Sequence, residues 1–147
     1  VPKFKKYLEI KIFMISKNVY KLKKIFMNLQ MIFRVNGAVS LINGLSFLLL
    51  TETYLGMAGF TMTSQLMTLG QAMGVSLIAI GLLSWRTPDI AGEAMSSYGQ
   101  LYGVIGVLWV LLIGYHAATG QASGPPVYGN LAINAVLAAL FFMYSKK

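Results

Sequence analysis

Four apolar stretches dominate the chain, roughly Met31 to Leu50, Leu66 to Trp85, Gln100 to Ala118 and Val127 to Tyr144, and Arg34 is the only formal charge inside them. Each is close to the about 20 residues that a helix needs to cross about 30 Å of hydrocarbon. The segments between them, Thr51 to Gln65, Arg86 to Gly99 and Thr119 to Pro126, are short enough to force consecutive helices to run antiparallel. The last of them carries the turn-forming Gly120, Gly124, Pro125 and Pro126. A soluble helical bundle of this size would show charged outer faces, but charged residues make up only 11% of the chain against 56% hydrophobic. The expected fold is therefore all-α: an integral membrane up-down-up-down four-helix bundle over residues 31–147, preceded by a basic amphipathic N-terminal helix over residues 1–30.

That arm holds eight lysines (Lys3, Lys5, Lys6, Lys11, Lys17, Lys21, Lys23, Lys24) against Glu9, a net +7 of the chain's +8. Phe4, Leu8, Ile12, Ile15, Val19, Leu22 and Phe26 recur among them at helical spacing. A basic helix with an apolar stripe fits the surface of an anionic membrane better than nucleic acid, and no nucleic-acid partner is expected. Val1 is also what an untranslated GTG start codon would give, and Met27 and Met31 stand just before the first span. The alternative is that the arm lies upstream of the natural start.

Every lysine and arginine falls on one side of the predicted spans: the arm, Arg34, Arg86, Lys146 and Lys147. The positive-inside rule then places both termini in the cytoplasm. Trp85, Tyr54, Tyr115, Tyr128 and Tyr144 sit at span ends, where amphipathic rings favour the headgroup zone.

The chain has no cysteine, which removes disulfides, thiolate metal sites and thiol catalysis. His116 is the lone histidine, too few nitrogens for a metal or a bis-histidine haem. Met57, Met62, Met67 and Met73 do not share a helical face, so they read as packing or lipid contacts. No catalytic constellation and no cofactor motif is present, which leans against an enzyme. What remains is a pattern of amides beside glycines near the span starts: Asn36-Gly37, Gly70-Gln71, Gly99-Gln100 and Gly129-Asn130. Gly37, Gly44, Gly70, Gly74, Gly99 and Gly103 are candidate sites of close helix approach. Arg34, a turn from the cytoplasmic edge, is a charge anchor for which Asp89 or Glu93 is within reach. At about 1.5 Å per residue, Asn43, Gln71 and Asn134 come to one depth in the outer half of the bilayer, a polar layer opening near His116. These four are the candidate ligand-binding residues.

Arg34-x-x-Gly37 followed by Gly44, the outer loop, and a glycine-rich second span ending Gly81-Leu82-Leu83 resemble the layout of small bacterial DoxX-like membrane proteins over residues 31–147. The resemblance implies a four-helix bundle in the bacterial inner (cytoplasmic) membrane and contributes no catalytic residue. The first expectation for function is a non-enzymatic accessory or scaffold subunit, packing through glycine faces in a homo-oligomer or larger membrane complex, with membrane lipid around it. The alternative is a binder or transporter of a small uncharged or lipid-like molecule, using the intramembrane amides.

Overall fold

The computed structural model describes residues 28–146. The lysine-rich segment 1–27 lies outside them. The described chain is helical: α1 (Leu29–Leu49), a short α2 (Thr51–Met57), α3 (Ser64–Ile90), a 3-10 turn (Gly92–Ala94), α4 (Met95–Ala118) and α5 (Pro125–Tyr144). The four long helices are each long and apolar enough to cross a membrane. Their outer faces are apolar as well, with Ile42 65%, Leu69 67% and Leu111 63% exposed. This is the architecture of a small multi-pass membrane protein.

The boundaries differ from the expected ones in three places, one of them the start of α4, which is Met95 and not Gln100. The second span continues past Trp85 to Ile90, through Thr87 and Pro88, which as a pair read as a helix stop. Pro88 removes the N–H that would bond the Ser84 carbonyl, and with only Asp89 and Ile90 of the helix after it there is little left for its ring to kink. The outer loop from Thr51 is helical in its first half, because the backbone bonds Leu50 N–H to Ser46 C=O and Tyr54 N–H to Leu50 C=O carry the helical pattern across the break at Leu50.

Polar side chains and glycines start and stop the helices. Asn28 caps α1 by accepting from the Met31 N–H at 2.8 Å, and Thr63 caps α3 by accepting from the Leu66 N–H at 3.1 Å. Both α2 and α4 end in a Schellman motif. Phe60 N–H donates to Leu55 C=O after α2, Gln121 N–H donates to His116 C=O after α4, and Gly59 (φ 88°) and Gly120 (φ 72°) supply the left-handed residue each turn requires.

Glycines pack the long helices into two tight antiparallel pairs, α1 with α3 and α4 with α5. In the first pair backbone meets backbone. A Cβ on Gly74 would stand 2.7 Å from Leu48 N and 2.8 Å from Gly44 O, and one on Gly37 would stand 2.9 Å from Gly81 O. In the second pair the neighbours are side chains: Ser145 against Gly99, the Phe142 ring against Gly103 and Ala138 against Gly106. Gly70 packs on Thr51 and Leu55 of α2. All six glycines singled out in the sequence are thus buried in contacts within the chain, as are Gly81 and Gly106.

Arg34 ties the first pair together at one end. Its guanidinium donates to the Trp85 carbonyl and to Asp89 Oδ1, both at 2.6 Å, and lies 5.1 Å from the centre of the Trp85 ring. Arg86 reaches the other Asp89 oxygen at 3.2 Å. These groups are a third or more exposed, so their value is in placing the α3 terminus more than in stability.

Between the two pairs contact is sparse and concentrated at the ends. At the end that holds Arg34, the buried Leu29, Ile32, Phe33, Leu137 and Phe141 form a plug. Phe33 makes edge contacts with Tyr102 (centroids 5.2 Å apart) and Phe141 (4.9 Å). At the opposite end Ala58, Ala122 and Val127 form a smaller cluster, and the Ser123 N–H donates to the Ala58 carbonyl at 3.0 Å. The middle is left open.

Candidate functional site

The space between plug and roof is a partly open cavity of about 190 Å³. Asn36, Ser40 and Asn43 line it from α1, on one face because their spacings of four and three residues complete two helical turns. Asn130 and Asn134 line it from α5, one turn apart, and His116 from the outer end of α4. The facing wall is apolar: Met73, Leu77 and Ile80 on α3, Ile105, Trp109 and Ile113 on α4. The lining holds no Asp, Glu, Lys or Arg.

Three of the polar side chains close a hydrogen-bonded ring. Asn43 Nδ2 donates to Asn130 Oδ1 at 2.7 Å, Asn130 Nδ2 donates to the Tyr54 hydroxyl at 2.6 Å, and that hydroxyl donates to Asn43 Oδ1 at 3.3 Å. Asn130 Nδ2 also donates to the Pro126 carbonyl, which can only accept, so the orientation of the whole ring is fixed. Burial pushes the Tyr54 hydroxyl above its ordinary pKa, against the smaller opposing effect of its hydrogen bond with Asn130, so it stays a neutral donor. The ring joins α1, α2 and α5 where the two pairs would otherwise barely touch.

Heights follow from the helical rise. Counting about 1.5 Å per residue from the Phe33–Phe141 contact, Asn36 lies roughly 5 Å above the plug, Ser40 and Asn134 roughly 10 Å, Asn43 and Asn130 roughly 16 Å. The same count from Ser84 and Tyr102, which meet Phe33 at the plug, puts Leu77 and Trp109 at roughly 10 Å as well. The middle of the cavity therefore has Ser40 and Asn134 on one side and Leu77 and Trp109 on the other.

Among the residues proposed from the sequence, Asn43, Asn134 and His116 all line this cavity. Gln71 does not: it is exposed on α3. The glycine face of α3, with Gly70, Gly74 and Gly81, is the one that meets α1 and α2, and one residue beyond Gly70 the side chain has turned about 100° away from that contact. Asn130 takes the place expected for Gln71. Tyr54, read as an aromatic of the headgroup zone, is half-buried in the ring. His116 Nδ1 lies 2.6 Å from Gln121 Oε1, and since that oxygen only accepts, Nδ1 carries a proton.

Residues the sequence reading passed over include Asn36 as a lining residue in its own right, Ser40, Asn130 and Trp109. Spacing was the available signal: Asn36, Ser40 and Asn43 fall at i, i+4 and i+7 and Asn130 and Asn134 at i and i+4, each set a polar stripe on an apolar helix. Among the described residues no group of three or more His, Cys, Asp or Glu is placed to hold a metal. The site offers hydrogen bonds and apolar contact, with the His116 imidazole at one end and no Asp, Glu, Lys or Arg in its lining. No family model, curated protein or solved structure matches the chain.

Proposed function

We propose that this is a multi-pass inner-membrane protein that binds, and by binding carries or presents, a small uncharged molecule in the cavity between its helix pairs. The observation that supports this most is the lining itself: amides on one wall, apolar side chains on the other, and no formal charge. The gap between α3 and α4, where Met73 (39% exposed) and Ile105 (40% exposed) flank the cavity, faces hydrocarbon in an up-down-up-down bundle. It gives a membrane-dissolved molecule a side entrance. A scaffold role through glycine faces has less support, because those faces are occupied within the chain. The DoxX-like layout and a bacterial origin belong to the same reading.

The test uses Trp109 as a reporter. The chain has two tryptophans, so Trp85→Phe leaves Trp109 alone while keeping a ring under Arg34. Bromobenzene titrated into this variant in lipid nanodiscs should quench Trp109 with saturation. Quenching that rises only in proportion to probe in the lipid would overturn the reading.

Orientation is supported by the basic residues. Arg34 and Arg86 meet at Asp89, and Lys146 follows Ser145, which packs on Gly99 beside Leu29, so all three described cations share one end. With that end in the cytoplasm, Ser123→Cys is expected to react with an impermeant maleimide in intact cells and Lys146→Cys only after permeabilisation. The reverse labelling pattern would invert the topology.

A further inference from the structure

The hydrogen-bond inventory of the cavity leaves both acceptors and donors unused, and that narrows the ligand. Ser84 Oγ donates its single proton to the Phe33 carbonyl at 2.8 Å, so toward Asn36, 3.0 Å away, it can only accept. Asn36 therefore supplies an N–H, and its Oδ1 has no partner among the described residues. Asn134 donates from Nδ2 to the Asn130 carbonyl at 2.8 Å, which likewise leaves its Oδ1 unpaired. In the neutral imidazole His116 Nε2 is a third acceptor, with no donor among the described residues. Ser145 Oγ is the one unpartnered buried side-chain polar atom among the described residues, so the unpaired atoms of Asn36, Asn134 and His116 reach open space, and all three residues line the cavity. Asn36, Asn43 and Asn134 each retain one amide hydrogen, and the Ser40 hydroxyl, level with Asn134, makes no side-chain bond among the described residues.

A guest that satisfies such a wall must donate as well as accept. A hydrocarbon does neither, and an ether or ketone would leave the amide oxygens without a donor, at the cost of unsatisfied buried acceptors. A hydroxyl does both: its proton goes to an amide oxygen and its lone pairs take an amide N–H. Size sets the second limit. An apolar cavity of about 150 Å³ holds benzene, so one of about 190 Å³ takes a single six-membered ring with a short substituent. A longer tail would have to leave through the gap between α3 and α4.

Resting on the function proposed above, we infer that the ligand is a neutral ring alcohol or phenol, or the ring end of a longer one, held with its hydroxyl on Asn134 Oδ1 and its ring between Leu77, Ile105 and Trp109. Asn134 is favoured over Asn36 because it stands at the height of Trp109 and Leu77, where the ring has apolar walls.

The experiment compares 4-bromophenol with 4-bromoanisole, the same ring with the donor methylated, by saturable quenching of Trp109 in the Trp85→Phe protein in nanodiscs at pH 7. Affinities are referred to the probe concentration in the lipid. The phenol is expected to bind roughly tenfold more tightly, the worth of one hydrogen bond in a dry site. Asn134→Leu should remove most of that preference and leave bromoanisole binding within about twofold, whereas Gln71→Leu, outside the cavity, should change neither affinity. Equal saturable binding of both probes, or an unchanged preference in Asn134→Leu, overturns the hydroxyl assignment while the cavity reading stands. If neither probe saturates, the cavity reading falls and this inference with it. Should Asn134→Leu not fold, Asn134→Ala replaces it with the same expectation: the preference for the phenol is lost, and its persistence overturns the assignment to Asn134.

Discussion

Replacing Gly74 by leucine is expected to lower the thermal midpoint of the detergent-solubilised protein by roughly 10 °C or more, taking overpacking at about 3 kcal/mol and a few degrees per kcal/mol for a chain of this size. The cause lies at the first added atom. A Cβ at this position stands 2.7 Å from Leu48 N and 2.8 Å from Gly44 O, and both are backbone atoms of α1, so no rotamer relieves the contact. The helices must separate, and the reciprocal contact at Gly44, whose own Cβ would stand 2.8 Å from Gly74 O, separates with them. Gly103→Leu is expected to cost less, since its neighbour is the Phe142 ring, whose side chain can turn toward lipid. Gly129→Leu should be neutral or slightly stabilising: nothing lies within 4 Å of its Cβ, its φ is not positive, and leucine is the better helix former by under about 1 kcal/mol. Gly92 would be a poor control, because its φ of 50° strains any side chain. Melting curves of the three variants in one detergent test the order. Equal midpoints would mean that the glycines do not set the distance between α1 and α3.

The four long helices were legible because each repeats one signal over many residues. Their ends were less so, and for identifiable reasons. Thr87-Pro88 reads as a stop but sits two residues before the helix end, where a kink displaces almost nothing, and Thr51–Met57 reads as loop because it is short and polar at its start, though its helical bonds follow on from α1. The Arg34–Asp89 pair followed from two charges forced to the same end of antiparallel helices. The polar layer was half legible. Depth, which the rise per residue gives, brought Asn43 and Asn134 to the cavity, though about 6 Å apart in height and not in one layer, with Asn43 level with Asn130; rotation about the helix axis, which depth does not give, carried Gln71 to the outside. That rotation is set by which face of α3 carries its glycines, so the glycine pattern held the missing information. Tyr54 was illegible for a different reason. Its place depends on the turn at Leu50, a backbone change that no periodicity records.

The second large effect is expected at the plug. Phe33 is fully buried and has two aromatic partners, Tyr102 on α4 and Phe141 on α5, so one side chain of the first helix pair carries the main aromatic contact with the second. Phe33→Ala is expected to cost about 3 kcal/mol, the lower end for a buried phenylalanine, because in a bilayer helices gain little from hydrophobic exclusion and the loss is mostly close packing. Leu83→Ala removes a larger exposed surface (61% exposed) yet should change the midpoint little, since lipid solvates either side chain. The two variants separate packing from mere apolarity. Phe33→Ala should have a further consequence that Leu83→Ala lacks: the plug is the cavity floor, so opening it should admit water from the end that holds Arg34 and shift Trp109 emission to the red in the Trp85→Phe background. A midpoint no lower than that of Leu83→Ala would show that the two helix pairs are held elsewhere. The remaining candidates would then be the Asn43–Asn130–Tyr54 ring and the roof, and the cavity would be bounded by hydrogen bonds at one end only.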